Sequence, residues 1–213
     1  MFADVITAIV PAFNEAARIG QTVRAVRRYV GEVVVVDDGS VDDTAEMAVA
    51  AGAQVVRHRV NQGYIAAIKG GFRAAKGKVL VTIDADGEFD PADIPRLVQP
   101  ILDGEADLVL GVRPTIPRPS ERLLNWLAGL RVPVQDSGTG FRALCRELAL
   151  KLEFPGACIC GTSVLEPAAL GARIVEIPVQ LRQVNKPRQI AWYHLRQLGY
   201  VVRWLLRPNF VDD

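Results

Sequence analysis

The stretch Glu32-Val33-Val34-Val35-Val36-Asp37-Asp38-Gly39-Ser40 runs four valines straight into two aspartates and a glycine turn. A half-solvated strand would alternate apolar and polar residues. An unbroken β-branched run instead fits a strand covered on both faces, hence a parallel sheet with helices on each side. Similar short runs lie around it: Val5–Val10, Gln54–His58, Val79–Asp84 and Leu108–Gly111. Helical patterns separate them. Ala16–Tyr29 places Ile19, Val23 and Val26 on one face, and Asp43–Ala51 follows a capping Asp42 and stops at Gly52. Tyr64–Ala75 links the third and fourth strands, and Asp90-Pro91 opens Ala92–Leu102. Residues 1–111 are therefore expected to form a Rossmann-like β/α half.

Beyond Gly111 the rhythm changes. Three prolines in Arg113–Pro119 exclude a helix interior and predict an exposed loop. A helix near Glu121–Leu130, a polar turn over Gln135–Gly140, another helix and a strand at Ile174–Val179 are expected to follow. No clean linker divides the chain, so a single domain is predicted, as its 213 residues allow.

Composition narrows the functions. Lys+Arg is 25 against Asp+Glu 24, a net charge of +1 that exerts no pull toward nucleic acid. Cys145, Cys158 and Cys160 lack the spacing of a zinc knuckle, and His58 and His194 are far from them in sequence. They read as reduced thiols of a cytoplasmic protein, and the histidines as surface or packing residues. No leader and no spanning segment is expected.

Two acidic clusters end strands: Asp37-Asp38-Gly39-Ser40 and Asp84-Ala85-Asp86-Gly87-Glu88. The carboxyl ends of the strands in an open α/β sheet border the ligand crevice, so both clusters face one space. If the second cluster is extended, Asp84, Asp86 and Glu88 share a side. Such carboxylates repel unless a hard cation, Mg²⁺ or Mn²⁺, lies between them; a turn-capping role for Asp84 and Asp86 stays open. No Walker A or G-x-G-x-x-G loop follows the first strand, which argues against a P-loop NTPase and a dinucleotide oxidoreductase. The first strand leads into Pro11-Ala12-Phe13-Asn14-Glu15, an aromatic and polar set suited to a nucleobase.

Six segments in order, VPAFNEA, VVVVDDGSVDDTAE, NQGYIAAIKGGFRAAKGKVLVTIDADGEFDP, LVLGVR, DSGTGFRAL and RIVEIPV, give the chain its resemblance to the family 2 inverting glycosyltransferases of the GT-A fold. The dolichol-phosphate mannosyltransferase-like branch is most similar. The resemblance implies a metal-dependent hexosyltransferase whose residues 1–111 bind a nucleotide sugar and whose residues 112–186 bind the acceptor, followed by an amphipathic segment at 187–213. Pro11, Phe13, Asn14, Glu15, Asp37, Asp38, Gly63 and Ala85 would contact the donor, with Asp38 on the base. Asp84 and Asp86 would hold the diphosphate and the metal, joined by Glu88, which stands where the family usually has glutamine. Arg113 and Arg142 would serve catalysis with Asp86; Arg113, Arg131, Asp136, Arg142, Arg182 and Lys186 would meet the acceptor or phosphates. The family's acidic residue is replaced by Thr162, with Glu166 one turn later.

A phosphate monoester acceptor is largely dianionic at pH 7 and needs no general base, unlike a hydroxyl. The altered Thr162 position therefore agrees with a polyprenyl phosphate. On a helical wheel of Gln189–Arg207, Ile190, Leu195, Leu198, Val202, Leu205 and Leu206 form an apolar face. Arg196, Arg203 and Arg207 lie opposite, flanked by Trp192, Tyr193, Tyr200 and Trp204, a pattern suited to a helix on the cytoplasmic membrane face. Packing on the chain's own domain, on a second copy or on a membrane subunit is the competing expectation. The donor is expected to be GDP-mannose, with UDP-glucose as the alternative. A non-catalytic nucleotide-sugar-binding subunit is the alternative from another class, and a sugar-phosphate nucleotidyltransferase is disfavoured because Val10–Glu15 lacks that class's glycine- and arginine-rich loop.

Overall fold

A computed structural model describes residues 3–116, 118–156, 158–182 and 191–207. Among these, seven strands form one sheet: β1 (Ile6–Ala12), β2 (Glu32–Asp37), β3 (Gln54–Arg57), β4 (Val79–Thr82), β5 (Leu108–Val112), β6 (Arg142–Cys145) and β7 (Ile174–Pro178). Their order is β3-β2-β1-β4-β6-β5-β7. β6 runs antiparallel to both of its neighbours, and the other pairings are parallel. The helices are α1 (Ala16–Val26), α2 (Thr44–Ala50), α3 (Tyr64–Ala74), α4 (Ile94–Leu102), α5 (Pro119–Gly129), α6 (Arg146–Lys151), α7 (Thr162–Ala169) and α8 (Ala191–Leu205).

The valine run behaves as its pattern implies. Val33 and Val35 belong to a core shared with Ile19, Val23, Leu97 and Phe141 on one face of the sheet. Val34 and Val36 belong to the opposite core, with Phe72, Leu124, Val164 and Trp204. Full burial of such a side chain stabilises by about 1.5–3 kcal/mol, so both faces hold this strand.

Three expectations need correction. The second half contains a strand, β6, where a helix alone is expected; its four residues are too short to carry a period, and pairing with β4 and β5 decides their conformation. α5 starts at Pro119, earlier than expected, because proline is tolerated at the first helical positions, where no intrahelical donor is needed. α2 starts at Thr44 with Asp43 at its N-cap position, one residue later than expected, and Asp42 caps it from just before that position, accepting from Thr44 N at 3.1 Å and also from Ala16 N at 3.2 Å. One carboxylate thus serves the starts of α1 and α2.

The parallel ladder between β1 and β4 stops at Ile9 and Thr82, whereas β1 stays paired to β2 as far as Ala12. Pro11, which has no N–H, sits beyond that stop. The chain after β1 returns toward β2, and β4 lies on the other side. This is the switch point of the sheet, where strands part at their carboxyl ends.

Candidate active site

A cleft of about 540 Å³ opens at this switch point, within the usual range for a small-molecule site. Pro11, Ala12 and Phe13 line it at the end of β1, and Phe13 is 46% exposed, presenting an aromatic ring to solvent. Asn14 and Glu15 do not line the cleft. Asn14 adopts φ 55 and braces the next loop: its N–H donates to Ser40 Oγ at 2.9 Å, and its Oδ1 accepts from Val41 N at 3.0 Å. Glu15 pairs with Arg18 at 3.0 Å.

Asp37 is fully buried, accepting from Ser40 N at 3.0 Å and lying 3.1 Å from Arg57 Nε. It shapes the loop and does not line the cleft. Asp38 does, and both of its oxygens tie the segment before α3. Oδ1 meets His58 Nδ1 at 2.6 Å and accepts from Gln62 N at 2.9 Å, while Oδ2 accepts from Gly63 N at 2.7 Å. His58 is thus the packing residue expected, and Gly63 lines the cleft.

Asp84, Asp86 and Glu88 all line the cleft. They reach it by a turn and not by strand alternation, because Gly87 takes φ 77 and Glu88 N donates to Asp86 Oδ1 at 2.9 Å. The turn sends Ala85 into the core, 4% exposed, with its carbonyl accepting from Thr22 Oγ1 at 2.9 Å. Ala85 therefore does not line the cleft. Tyr64 Oη donates to Asp84 Oδ1 at 3.3 Å; burial and the adjacent carboxylate push the phenol pKa well up. Gly140 faces the same aspartate so closely that a Cβ there would stand 2.5 Å from Oδ2. The oxygens of the three carboxylates are not all within 4.8 Å of one another. Their chemistry nonetheless fits Mg²⁺ or Mn²⁺, which commonly take one or two carboxylates and leave the remaining positions to phosphates and water.

Arg113 enters the cleft from the end of β5. Asp136 holds it through both oxygens, at 2.8 Å to Nε and 2.8 Å to Nη2, and Glu121 takes Nη2 at 3.2 Å. These carboxylates raise its pKa against the effect of burial. Glu121, 4% exposed, also pairs with Arg118 at 2.7 Å. Sequence reading misses Glu121, Arg118 and Tyr64, although Arg118 and Glu121 are spaced as a helical ion pair.

The remaining expected cations lie elsewhere. Arg142 is buried behind the wall: Nη2 donates to Ser137 O at 3.3 Å, and Nε has no hydrogen-bond partner among the described residues. Burial lowers its pKa. Arg131 donates to Leu205 O at 2.7 Å and so fastens the end of α8. Arg182 donates to Asp90 Oδ1 at 2.8 Å. None of the three lines the cleft, and Lys186 lies outside the described residues, as do Arg188 and Ile190. Glu166 does not line the cleft, and its oxygens accept from Glu153 N at 2.9 Å and Phe154 N at 2.8 Å.

α8 packs against α5 and α7. It buries His194, Gln197, Val201 and Trp204, leaving Leu195, Val202 and Leu206 exposed. Trp204 is therefore a core residue and not an interfacial aromatic; Arg207 stacks over its ring at 3.9 Å. α5 leaves Leu123, Trp126 and Leu130 exposed. No described helix is long and apolar enough to cross a membrane.

The model of glycosyl transferase family 2 matches residues 7–133, more than half the chain. The chain belongs to glycosyl transferase family 2. This family 2 chain is 36% identical over 165 residues to an uncharacterized protein of Methanocaldococcus jannaschii, covering 70% of the chain and 68% of that protein. It is 32% identical over 196 residues to the dolichyl-phosphate hexose transferase of Haloferax volcanii, covering 84% of each. Among solved structures it is similar to glucosyl-3-phosphoglycerate synthase of Mycobacterium tuberculosis in complex with Mn²⁺, UDP-glucose and phosphoglyceric acid. That likeness has a TM-score of 0.74 at 28% identity and covers 99% of this chain and 81% of the other. The fold is thus the GT-A type expected, and the activity class is glycosyl transfer.

Proposed function

We propose that this family 2 glycosyltransferase moves a hexosyl group from a nucleotide sugar to a phosphate-bearing polyprenyl lipid. The observation that carries the reading is one cleft that combines the carboxylates Asp84 and Asp86 with the fixed guanidinium of Arg113. Residues 1–111 would supply the donor half and 112–186 the acceptor half. Phe13 and Pro11 offer a flat apolar surface to a base, and Asp38 supports the loop beside it. Asp84 and Asp86, with Glu88 nearby, would hold Mg²⁺ or Mn²⁺, which supplies neutralisation of the diphosphate as it leaves. Arg113 would add a preorganised positive charge where negative charge develops. A phosphate acceptor brings its own nucleophilic oxygen, in keeping with the engagement of Glu166 by backbone amides.

The lipid is supported by the Haloferax relative and by the apolar rows that α5 and α8 leave uncovered. Leu195, Val202 and Leu206 would rest on the cytoplasmic face of a membrane, with Arg196 and Arg203 toward its headgroups. GDP-mannose is the donor expected from the resemblance. A second reading, UDP-glucose with a small phosphorylated acceptor, is favoured by the Mycobacterium structure.

Thermal-shift and calorimetric binding of GDP-mannose and UDP-glucose, with and without Mn²⁺, tests the donor. Radiolabel transfer to polyprenyl phosphate or to phosphoglyceric acid then tests the acceptor. Failure of every nucleotide sugar to bind would sink the transferase reading. Transfer to phosphoglyceric acid alone would replace the lipid.

A further inference from the structure

Cys158 and Cys160 bring their sulfurs, and His194, more than thirty residues further along the chain, brings a ring nitrogen, within 4.8 Å of one another. Sγ of Cys160 is 3.8 Å from Nε2 of His194. A tetrahedral zinc with metal–sulfur bonds of about 2.3 Å and metal–nitrogen bonds of about 2.0–2.1 Å places its donors roughly 3.5–3.8 Å apart. The cluster is close to that spacing before any metal enters.

Its surroundings hold it in that shape. Ser120 Oγ, on the first turn of α5, lies 2.7 Å from His194 Nδ1. With the proton on Nδ1, Ser120 accepts it and Nε2 is left to bind a metal, the orienting arrangement usual around metal-bound histidines. Gln197, one turn along α8 from His194, is fully buried and clamps the cysteine segment. Its Oε1 accepts from Cys158 N at 3.2 Å, and its Nε2 donates to Cys160 O at 3.0 Å and Thr162 Oγ1 at 3.0 Å. The helix that supplies the imidazole thereby fixes the backbone that supplies both thiols.

We propose that Cys158, Cys160 and His194 form a zinc site with its fourth position open to the cleft. All three residues line that cleft, so the open position faces the space that also receives Arg113. Two thiolates and an imidazole select a softer ion than the all-oxygen set of Asp84, Asp86 and Glu88, so one cleft carries two metal sites of different chemistry. An oxygen of the acceptor takes the fourth position of the zinc; this last step rests on the transferase reading, and the site itself does not.

The test uses untagged full-length protein under reducing conditions. Zinc is measured by mass spectrometry after dialysis, and Co²⁺ is titrated into the metal-free chain. One zinc per chain and a thiolate-to-cobalt charge-transfer band are expected. Cys160→Ser and His194→Gln should each weaken the metal by at least 100-fold, and Ser120→Ala by about 10–100-fold. A folded, fully reduced wild-type chain that retains no zinc and develops no cobalt–thiolate band would overturn the site. So would wild-type affinity in both His194→Gln and Ser120→Ala. These readouts need neither donor nor acceptor, so failure here is distinct from failure of the transferase reading.

Discussion

Asp136 and Arg113 form a two-bond pair in which the carboxylate is completely buried and the guanidinium is 14% exposed. A fork-to-fork pair fixes direction as well as distance. Asp136, on the loop before β6, holds Arg113 from behind through two bonds, and Glu121 adds a third.

Removing one partner of a buried pair leaves the other charge uncompensated, at a cost of about 3–5 kcal/mol. Asp136→Ala should therefore lower the unfolding free energy obtained from a urea titration by about that amount. Arg113→Lys should cost less stability but lose most of the transfer rate, since an ammonium cannot span both oxygens. Equal turnover in wild type and Arg113→Lys would remove this arginine from the reaction.

Gly140→Ala is the smallest change aimed at the acidic turn. Its Cβ would sit 2.5 Å from Asp84 Oδ2, so the carboxylate must swing away. Overpacking of this kind costs about 1–3 kcal/mol. Calorimetry should find a folded protein whose Mn²⁺-dependent donor affinity drops at least tenfold, with Asp86→Asn as the more severe control. Unchanged affinity in Gly140→Ala would detach Asp84 from metal binding.

Tyr64 predicts an alkaline signature. Its folded pKa is raised by burial and by Asp84 above the ordinary value of 10.0. Below pH 10 the phenol is neutral in both the folded and the unfolded chain, so its contribution to stability is fully present. As pH rises past 10 the unfolded chain ionises first, and stability falls toward the raised folded value. Denaturation melts of Tyr64→Phe above pH 10 should show a shallower decline than wild type. Parallel curves would mean that the phenol ionises alike in both states.

The apolar rows of α5 and α8 make a separate prediction. Trp126 is 62% exposed and Leu195 is 67% exposed. Burying a side chain of this size at an interface is worth about 1.5–3 kcal/mol, roughly tenfold or more in partitioning. Co-sedimentation with anionic vesicles should fall by at least that factor in Trp126→Ser and in Leu195→Ser, with donor binding retained. Wild-type protein that stays in the supernatant at low salt would dismiss the membrane.

Much of the first half was legible because its signals are local. The valine run, the caps at Asp42 and Asp90, and the glycine turn beside Asp86 are each set within a few residues of chain. The acidic residues reached the cleft as read, although a turn and not an extended strand delivered them. What escaped was long-range. β6 exists only through β4 and β5. His194 meets Cys160 only because α8 folds back onto α5 and α7. Arginines 131, 142 and 182 look alike in sequence, but a carbonyl, a buried wall and Asp90 claim them respectively.

The reversed direction of β6 has its own consequence for how such a chain diversifies. An antiparallel strand begins where the strands on either side of it end, so Leu110 and Arg142 stand opposite each other at the rim, and beside them Gly111 N donates to Phe141 O at 2.9 Å. Everything between them is a detour that leaves and rejoins the sheet at one point. Loop-closure entropy grows only slowly with length, so the exposed stretches of this detour tolerate changes of length, whereas Leu124, Ala128 and Phe141 tie its helix and its end into the core and must travel with it. Grafting residues 113–141 between relatives should carry acceptor preference as a cassette while the donor end keeps its nucleotide.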